Sequence, residues 1–147
     1  MESSTPARVL VVAHRTAAAP SIADAVARRA AAGPARFTLV VPRTAHGLHR
    51  LMDPEDADES EARGVLELAL PILSAAAGAP VEGLIGDPVP LTAIEDVVNR
   101  HGFDEIILST LPRRLSRWLR LDLPSKVGGL GLPLTVVTPA EEVLATG

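Results

Sequence analysis

Four arginines lie close together in the second half of the chain and are candidates for binding an anion. Arg113, Arg117 and Arg120 are spaced i, i+4 and i+7, which places them on one face of a predicted helix, and Arg114 adjoins the first of them. Planar guanidinium groups bind carboxylates and phosphates through paired hydrogen bonds, and a helix start attracts anions. The cluster predicts a phosphate or anion site. The alternative is an exposed surface or ion pairing with nearby acids.

Other chemistry-bearing patterns are incomplete. His46 and His49 are spaced i, i+3 without an evident third ligand, so the spacing does not predict zinc. The acidic segment Asp53–Glu61 lacks the spacing and glycine of a calcium loop. The chain has no cysteine, no G-x-S-x-G motif and no Walker A motif. We therefore expect neither a metal site nor an enzyme active site.

Composition restricts the partners further. The 147 residues carry a net charge of −4, with 47% hydrophobic, 22% charged and 2% aromatic residues. This is the composition of a globular protein, and its acidity and few aromatic rings argue against nucleic-acid binding. We find no apolar stretch long enough to span a membrane and no signal-peptide pattern. The expectation is one cytoplasmic domain over residues 1–147.

Five short apolar runs predict buried strands. Most are continuous rather than alternating, which is typical of parallel strands covered on both faces. The predicted strands are Val9–Ala13, Phe37–Val41, Val81–Ile85, Ile106–Leu108 and Leu134–Val137.

Helical patterns separate the strands. Capping boxes predict helix starts at Ser21 and Thr92, and Pro71 should kink or divide the second helix. The last helix should be interrupted near Pro124, and Arg43–Ser60 reads as a long, poorly ordered acidic connection. The predicted helices are Ser21–Ala32, Glu59–Ala77, Thr92–His101 and Ser116–Val127.

Alternating strands and helices indicate an α/β fold with a parallel sheet and right-handed crossovers. Ligands of such sheets bind beyond the carboxyl ends of the strands where the strand order reverses, here after the first and fourth strands. His14 could contact a ligand there or only fill space, and the Ser109 and Thr110 hydroxyls could bind a ligand or satisfy nearby backbone groups. The candidate ligand-binding residues are Ala13, His14, Thr16, Val41, Gly86, Ser109, Thr110, Arg113, Arg114 and Arg117.

Several segments, in order and spacing, resemble the universal stress protein family. The resemblance implies a five-stranded, Rossmann-like parallel sheet of the adenine nucleotide alpha hydrolase-like type, with strand order 3-2-1-4-5. It also implies a homodimer with the last strand near the two-fold axis. The similar segments are Val9–His14, Phe37–Pro42, Gly86–Pro88, Asp104–Ser109, Leu115–Leu119 and Leu132–Val137.

The sequence departs from the pattern of the family members that bind ATP. Those members carry an aspartate after the first strand and the motif G-x2-G-x9-G-[S/T] after the fourth. Here His14 replaces the aspartate, Ser109 and Pro112 replace the first two glycines, and Leu121–Asp122 replaces the final pair. Proline donates no N–H, and glycine is what lets backbone N–H groups approach phosphate closely. The usual ATP mode therefore does not carry over, but arginine side chains could replace the lost contacts.

Two function hypotheses follow. The first is a non-enzymatic, ligand-sensing stress-response protein that binds ATP, ADP, AMP or a phosphate-like anion in a degenerate site. The second is a homodimeric structural or partner-binding module that has lost nucleotide binding. Both exclude a nucleic-acid or membrane partner.

Overall fold

The fold is built on five parallel strands in one sheet, ordered β3-β2-β1-β4-β5. The computed structural model describes residues 5–44, 54–111 and 117–139, with residues 54–58, 117 and 120 described by their backbone alone. The predicted α/β class, all five predicted strands and the predicted order are confirmed. The strands are β1 (Ala7–Val12), β2 (Ala35–Pro42), β3 (Glu82–Gly86), β4 (Glu105–Ser109) and β5 (Leu134–Val137).

The apolar runs became strands because both faces of the central sheet are covered. From β1, Val9 and Val11 point into the core cluster shared with α1 (Pro20–Ala32) and α2 (Pro54–Ala77). Leu10 and Val12 point to the opposite cluster, which is shared with the remaining helices. A strand buried on both faces needs apolar residues at consecutive positions, so its sequence shows no alternation. The remaining helices are α3 (Pro90–His101), α4 (Arg117–Arg120) and α5 (Leu123–Gly128).

Proline, not a capping box, starts the helices. The first turn of α1 begins at Pro20 with Ala19 as N-cap, and α3 begins at Pro90 with Val89 as N-cap, and neither cap residue makes a side-chain hydrogen bond to the helix. The capping boxes predicted at Ser21 and Thr92 are therefore wrong. The physical reason is that proline already has the helical φ and lacks one of the N–H groups that a cap would satisfy.

The second helix is longer than predicted. It begins at Pro54, so the prediction that Arg43–Ser60 is a connection without structure is wrong from residue 54 onward. Residues 45–53 lie outside the described part of the chain. The helix continues through Pro71, which is exposed, so the alternative that Pro71 divides it is also wrong. The alternative of a kink at Pro71 stays a prediction.

The last helical segment is interrupted as predicted. Between α4 and α5, Asp122 adopts a left-handed conformation with φ 59°, and Pro124 lies in the first turn of α5. Aspartate tolerates this conformation better than most residues, because its short side chain can form local hydrogen bonds. The chain therefore turns immediately before the proline.

Two further contacts hold the layers in register. The Arg29 guanidinium at the end of α1 donates to both carboxylate oxygens of Glu105 at the start of β4, each at 3.0 Å. At the end of β3, Gly86 lets α3 pack closely, because a Cβ there would lie 2.8 Å from Ala93 Cβ.

In the described part of the chain, no helix combines the length and apolar character that crossing a membrane requires.

Candidate functional site

The carboxyl ends of β1 and β4 lie side by side where the strand order reverses. β1 pairs with β2 on one side and with β4 on the other, with Val12 opposite both Val40 and Leu108. The residues that follow β1 therefore meet those that end β4. The structure thus brings together Thr16, Ser109 and Thr110 from the predicted candidates.

Thr16 and Ser109 form a buried hydroxyl pair. Their side-chain oxygens lie 2.5 Å apart, and the residues are 5% and 1% exposed. One hydroxyl donates and the other accepts, so the accepting hydroxyl still has its own proton. One hydroxyl proton of the pair is therefore not used between the two side chains.

Thr110 is held by β5 and the residue after it. Its backbone N–H donates to the Val137 carbonyl at 2.9 Å, and its hydroxyl lies 3.1 Å from the Thr138 hydroxyl. Thr110 is buried and Thr138 is exposed. This second hydroxyl pair fixes the end of the sheet between β4 and β5 and faces water on one side.

His14 bridges the ends of β1 and β2. Its Nε2 lies 3.0 Å from the Thr44 hydroxyl, and the ring is half-buried. Burial lowers the pKa of His14 below its usual 6.5, Glu61 opposes this shift, and Arg15 adds to it. The imidazole is therefore neutral at pH 7 and supplies a hydrogen bond but no positive charge.

The lowered pKa of His14 also links its charge to folding. The folded protein binds a proton at His14 less tightly than the unfolded chain does. Stability therefore falls as the pH drops below about 6.5, and this loss ends below the folded-state pKa.

Ala13, Val41 and Gly86 contribute shape rather than polar side chains. Ala13 and Val41 are fully buried at the ends of β1 and β2. The Gly86 carbonyl accepts a hydrogen bond from the Arg43 backbone N–H at 3.0 Å. Ala13 and Val41 belong to the core that packs against α1 and α2, and the Gly86 contact fixes the end of β3.

The arginine cluster is only partly placed. Arg113 and Arg114 lie outside the described residues, and Arg117 is described by the backbone alone as the first residue of α4. Their role as anion ligands stays a prediction.

Sequence reasoning missed Thr44 and Thr138, which hold His14 and Thr110. Thr138 directly follows β5, and Thr44 lies two residues after the end of β2. Applying the strand-end rule to polar residues at all five strands would have found them.

No protein-family model matches the sequence, and no curated protein matches it either. Similarity appears in the three-dimensional structure. A protein of the universal stress protein family from Burkholderia pseudomallei matches with a TM-score of 0.61 and 18% identity, over 95% of this chain and 100% of that one. The chain has the universal stress protein fold.

Two further solved structures with this fold are complexes with a nucleotide. The universal stress protein from Archaeoglobus fulgidus, in complex with dAMP, matches with a TM-score of 0.60 and 19% identity, over 90% of this chain and 98% of that one. A universal stress protein in complex with cAMP matches with a TM-score of 0.60 and 17% identity, over 91% and 98%. At these identities the likeness shows the fold.

The described side chains at the reversal point supply hydroxyl groups and one imidazole. The Ser109 hydroxyl contacts the Thr16 hydroxyl, and His14 Nε2 lies 3.0 Å from the Thr44 hydroxyl. Within the described residues, no three His, Asp or Glu side chains come together for a metal ion. His46 and His49 lie outside them. The arrangement is suited to holding a ligand through hydroxyl and imidazole hydrogen bonds.

Proposed function

We propose that this chain is a diverged universal stress protein that senses an adenine nucleotide without turning it over. The observation that carries the proposal is that two proteins of the same fold are in complex with dAMP and with cAMP. The same fold puts hydroxyls and an imidazole at the reversal point of this sheet, where open parallel sheets bind ligands. The proposed setting is a single cytoplasmic domain in a stress response, as the family resemblance implies.

The site residues divide into ring contacts and phosphate contacts. The half-buried His14 ring offers a neutral hydrogen-bonding edge to the adenine, and the buried Ala13 and Val41 support the strand ends beneath it. The free proton of the Thr16–Ser109 pair donates to the phosphate or ribose. Gly86 lies opposite Pro42, where β3 and β2 both end.

The phosphate is held by side chains. With proline at position 112 and no glycine motif, the sequence after β4 does not have the glycines that allow close backbone N–H contacts to phosphate in the usual ATP site. Arg113, Arg114 and Arg117 replace them through charge-assisted hydrogen bonds. Because the loop lacks a triphosphate cradle, we propose that AMP binds better than ADP or ATP. The dAMP and cAMP of the similar structures each carry one phosphate group.

The proposed assembly is a homodimer through β5. β5 ends the order of the described sheet, and its Val136 is 43% exposed. An exposed apolar edge strand is an aggregation hazard unless another chain covers it. We expect size-exclusion chromatography with light scattering to give a dimer, and Val136→Lys to shift the mass toward the monomer. The matched control is Thr135→Lys, at the exposed neighbouring position on the other face of β5, which tests whether any added charge has the same effect.

A second candidate function is a partner-binding module without a nucleotide. The observation that favours it is that the polar side chains at the reversal point already have partners in the protein. Thr16 pairs with Ser109, Thr110 with Thr138, and His14 with Thr44. Under this alternative the hydroxyls only complete the fold.

Thermal unfolding with added ligand separates the two functions. AMP at a hundred times its Kd should add about 2.7 kcal/mol of stability, which is about 5–11 °C in Tm for this size of domain. The double variant Arg113→Glu, Arg114→Glu should abolish the shift. The matched control is Arg28→Glu with Arg36→Glu, which reverses the charge of two exposed arginines away from the carboxyl ends of the strands. This control should keep the Tm shift.

Each result assigns one function. A shift with AMP that sulfate does not reproduce supports the nucleotide site. An equal shift with sulfate means a general anion site on the arginines. No shift with AMP, ADP, ATP or sulfate overturns the nucleotide proposal and favours the partner-binding module.

A further inference from the structure

An exposed arginine with a described side chain lies at the reversal point. Arg15 directly follows His14 after the end of β1, and it is exposed, whereas the next residue, Thr16, is buried. Arg15 is not among the ligand-binding residues predicted from the sequence. Among the residues that the structure describes, none forms an ion pair or a hydrogen bond with its guanidinium group. The group is therefore open to a ligand from solvent.

A tight turn fixes the backbone of Arg15. The Ala17 N–H donates to the His14 carbonyl at 3.2 Å, so these residues enclose a four-residue turn with Arg15 in its second position. The third residue of the turn, Thr16, is anchored by its hydroxyl contact with Ser109 of β4. The Arg15 side chain therefore leaves the backbone at a fixed place beside the carboxyl ends of β1 and β4.

The charge of Arg15 acts on the neighbouring imidazole. Burial lowers the pKa of His14 most, Glu61 of α2 raises it, and Arg15 lowers it. The charges of Glu61 and Arg15 thus act on the same ring with opposite sign. Because two opposite charges leave little net field, the attraction of an anion depends on direct hydrogen bonds to the guanidinium group.

An exposed and unpaired guanidinium group suits a phosphate. It is planar, stays charged at neutral pH and can donate two parallel hydrogen bonds to two oxygens of one anion. Many exposed arginines are only solvated, but Arg15 differs from them in its place in the fold. Ligands of open parallel sheets bind where the strand order reverses, which is where Arg15 lies.

We propose that Arg15 binds the phosphate group of the nucleotide in the proposed site and thereby selects nucleotides over nucleosides. This assignment rests on the proposed function and adds to it a specificity-determining residue. His14 contacts the base and Arg15 contacts the phosphate, so two consecutive residues hold the two ends of a mononucleotide.

Isothermal titration calorimetry with AMP and adenosine tests this role. Arg15→Gln should weaken AMP binding about tenfold or more, because it removes a charge-assisted hydrogen bond, and should leave adenosine binding unchanged. Arg15→Lys keeps the charge and loses the planar group, so its AMP affinity should lie between those of the other two proteins. The matched control is Arg36→Gln, which removes an exposed arginine at the start of β2 and should keep both affinities.

The pKa of His14 provides a second measurement that needs no nucleotide. An NMR titration of the imidazole signals should give a higher pKa of His14 in Arg15→Gln than in the unchanged protein, because the substitution removes a positive charge near the ring. Arg36→Gln should leave this pKa unchanged.

The possible failures are distinguishable. Equal AMP affinity in Arg15→Gln and the unchanged protein would overturn the role of Arg15 and leave the nucleotide proposal standing. An equal loss of AMP and adenosine binding would also overturn it, because Arg15 would then support the site as a whole. An unchanged pKa of His14 would show that Arg15 lies away from the ring and would overturn the assignment as well. If the unchanged protein bound no AMP, both proposals would be wrong.

Discussion

The buried hydroxyl pair of Thr16 and Ser109 allows a direct test of how much this contact contributes to the stability of the protein. Ser109→Ala removes one oxygen, and Thr16→Val replaces a hydroxyl by a methyl of similar shape. The oxygens lie 2.5 Å apart at residues that are 1% and 5% exposed. Each single substitution therefore leaves one buried hydroxyl without its partner, which costs about 1–3 kcal/mol of unfolding free energy.

The double variant should cost less than the sum of the single substitutions. Removing both partners leaves no unpaired hydroxyl, so Thr16→Val with Ser109→Ala should be near or below the cost of either change alone. The expected coupling free energy is about 1–2 kcal/mol. Urea unfolding of the four proteins, followed by circular dichroism, measures it.

The second hydroxyl pair is the matched control. Thr110 and Thr138 lie 3.1 Å apart, and Thr138 is exposed, so water can replace the lost partner. Substituting valine at one or both positions should give a coupling below about 0.5 kcal/mol. If the buried pair of Thr16 and Ser109 were additive within about 0.3–0.5 kcal/mol, the argument from burial would be wrong.

Three further predictions concern packing and charge, and urea unfolding tests each. Gly86→Ala should cost about 1–3 kcal/mol because the added methyl overlaps α3 at 2.8 Å, whereas Gly64→Ala, where nothing lies within 4 Å, should stabilise α2 by about 0.5–1 kcal/mol. Glu105→Gln should cost about 1 kcal/mol by weakening its bidentate pair with the α1 arginine, while Glu59→Gln, at an i, i+4 pair of 3.6 Å, should change stability by less than about 0.5 kcal/mol. His14→Gln should reduce the loss of unfolding free energy between pH 7 and 5.5, because one such group contributes at most about 1.4 kcal/mol per pH unit. An unchanged dependence on pH would contradict the lowered pKa of His14.

The sheet could be predicted because its sequence pattern depends on one physical fact. Residues at consecutive positions of β1 face two different helical layers, so Val9, Leu10, Val11 and Val12 all had to be apolar. Neither a helix nor a strand with one exposed face needs apolar residues at four consecutive positions. The strand order came from the family resemblance, and the same fold in solved universal stress proteins supports it.

The helix starts were wrong where two local signals competed. Ser21 and Thr92 had the right spacing for capping boxes, but Pro20 and Pro90 came first and set the helical φ. α2 also begins at a proline, Pro54, which lies inside the segment that its acidic composition had led us to predict as a loop. In this chain proline is the better marker of a helix start.

The contacts of the site depend on tertiary structure and could be only partly predicted. Topology placed His14 and Ser109 at strand ends, but it could not pair His14 with Thr44 or Ser109 with Thr16. Those pairings depend on how far each loop turns after its strand. A hydroxyl at a strand end can donate to a ligand or to a neighbour, and sequence does not distinguish the two.

The charges at the reversal point argue for a ligand with one phosphate rather than three. The pKa of His14 is lowered by burial, so the ring that stands in the aspartate's position is neutral at pH 7 and neither attracts nor repels an anion. The free proton of the Thr16–Ser109 pair is one donor, where a triphosphate needs many. The positive charge of Arg15 already acts on this ring, and the side chains of Arg113, Arg114 and Arg117 are the proposed phosphate ligands that add to it. Flexible side chains lose more conformational entropy per phosphate contact than glycine-loop N–H groups do, so each further phosphate adds less net affinity. The order AMP, then ADP, then ATP should therefore hold in the Tm shifts, and ATP giving the largest shift would show that the loop still holds a triphosphate.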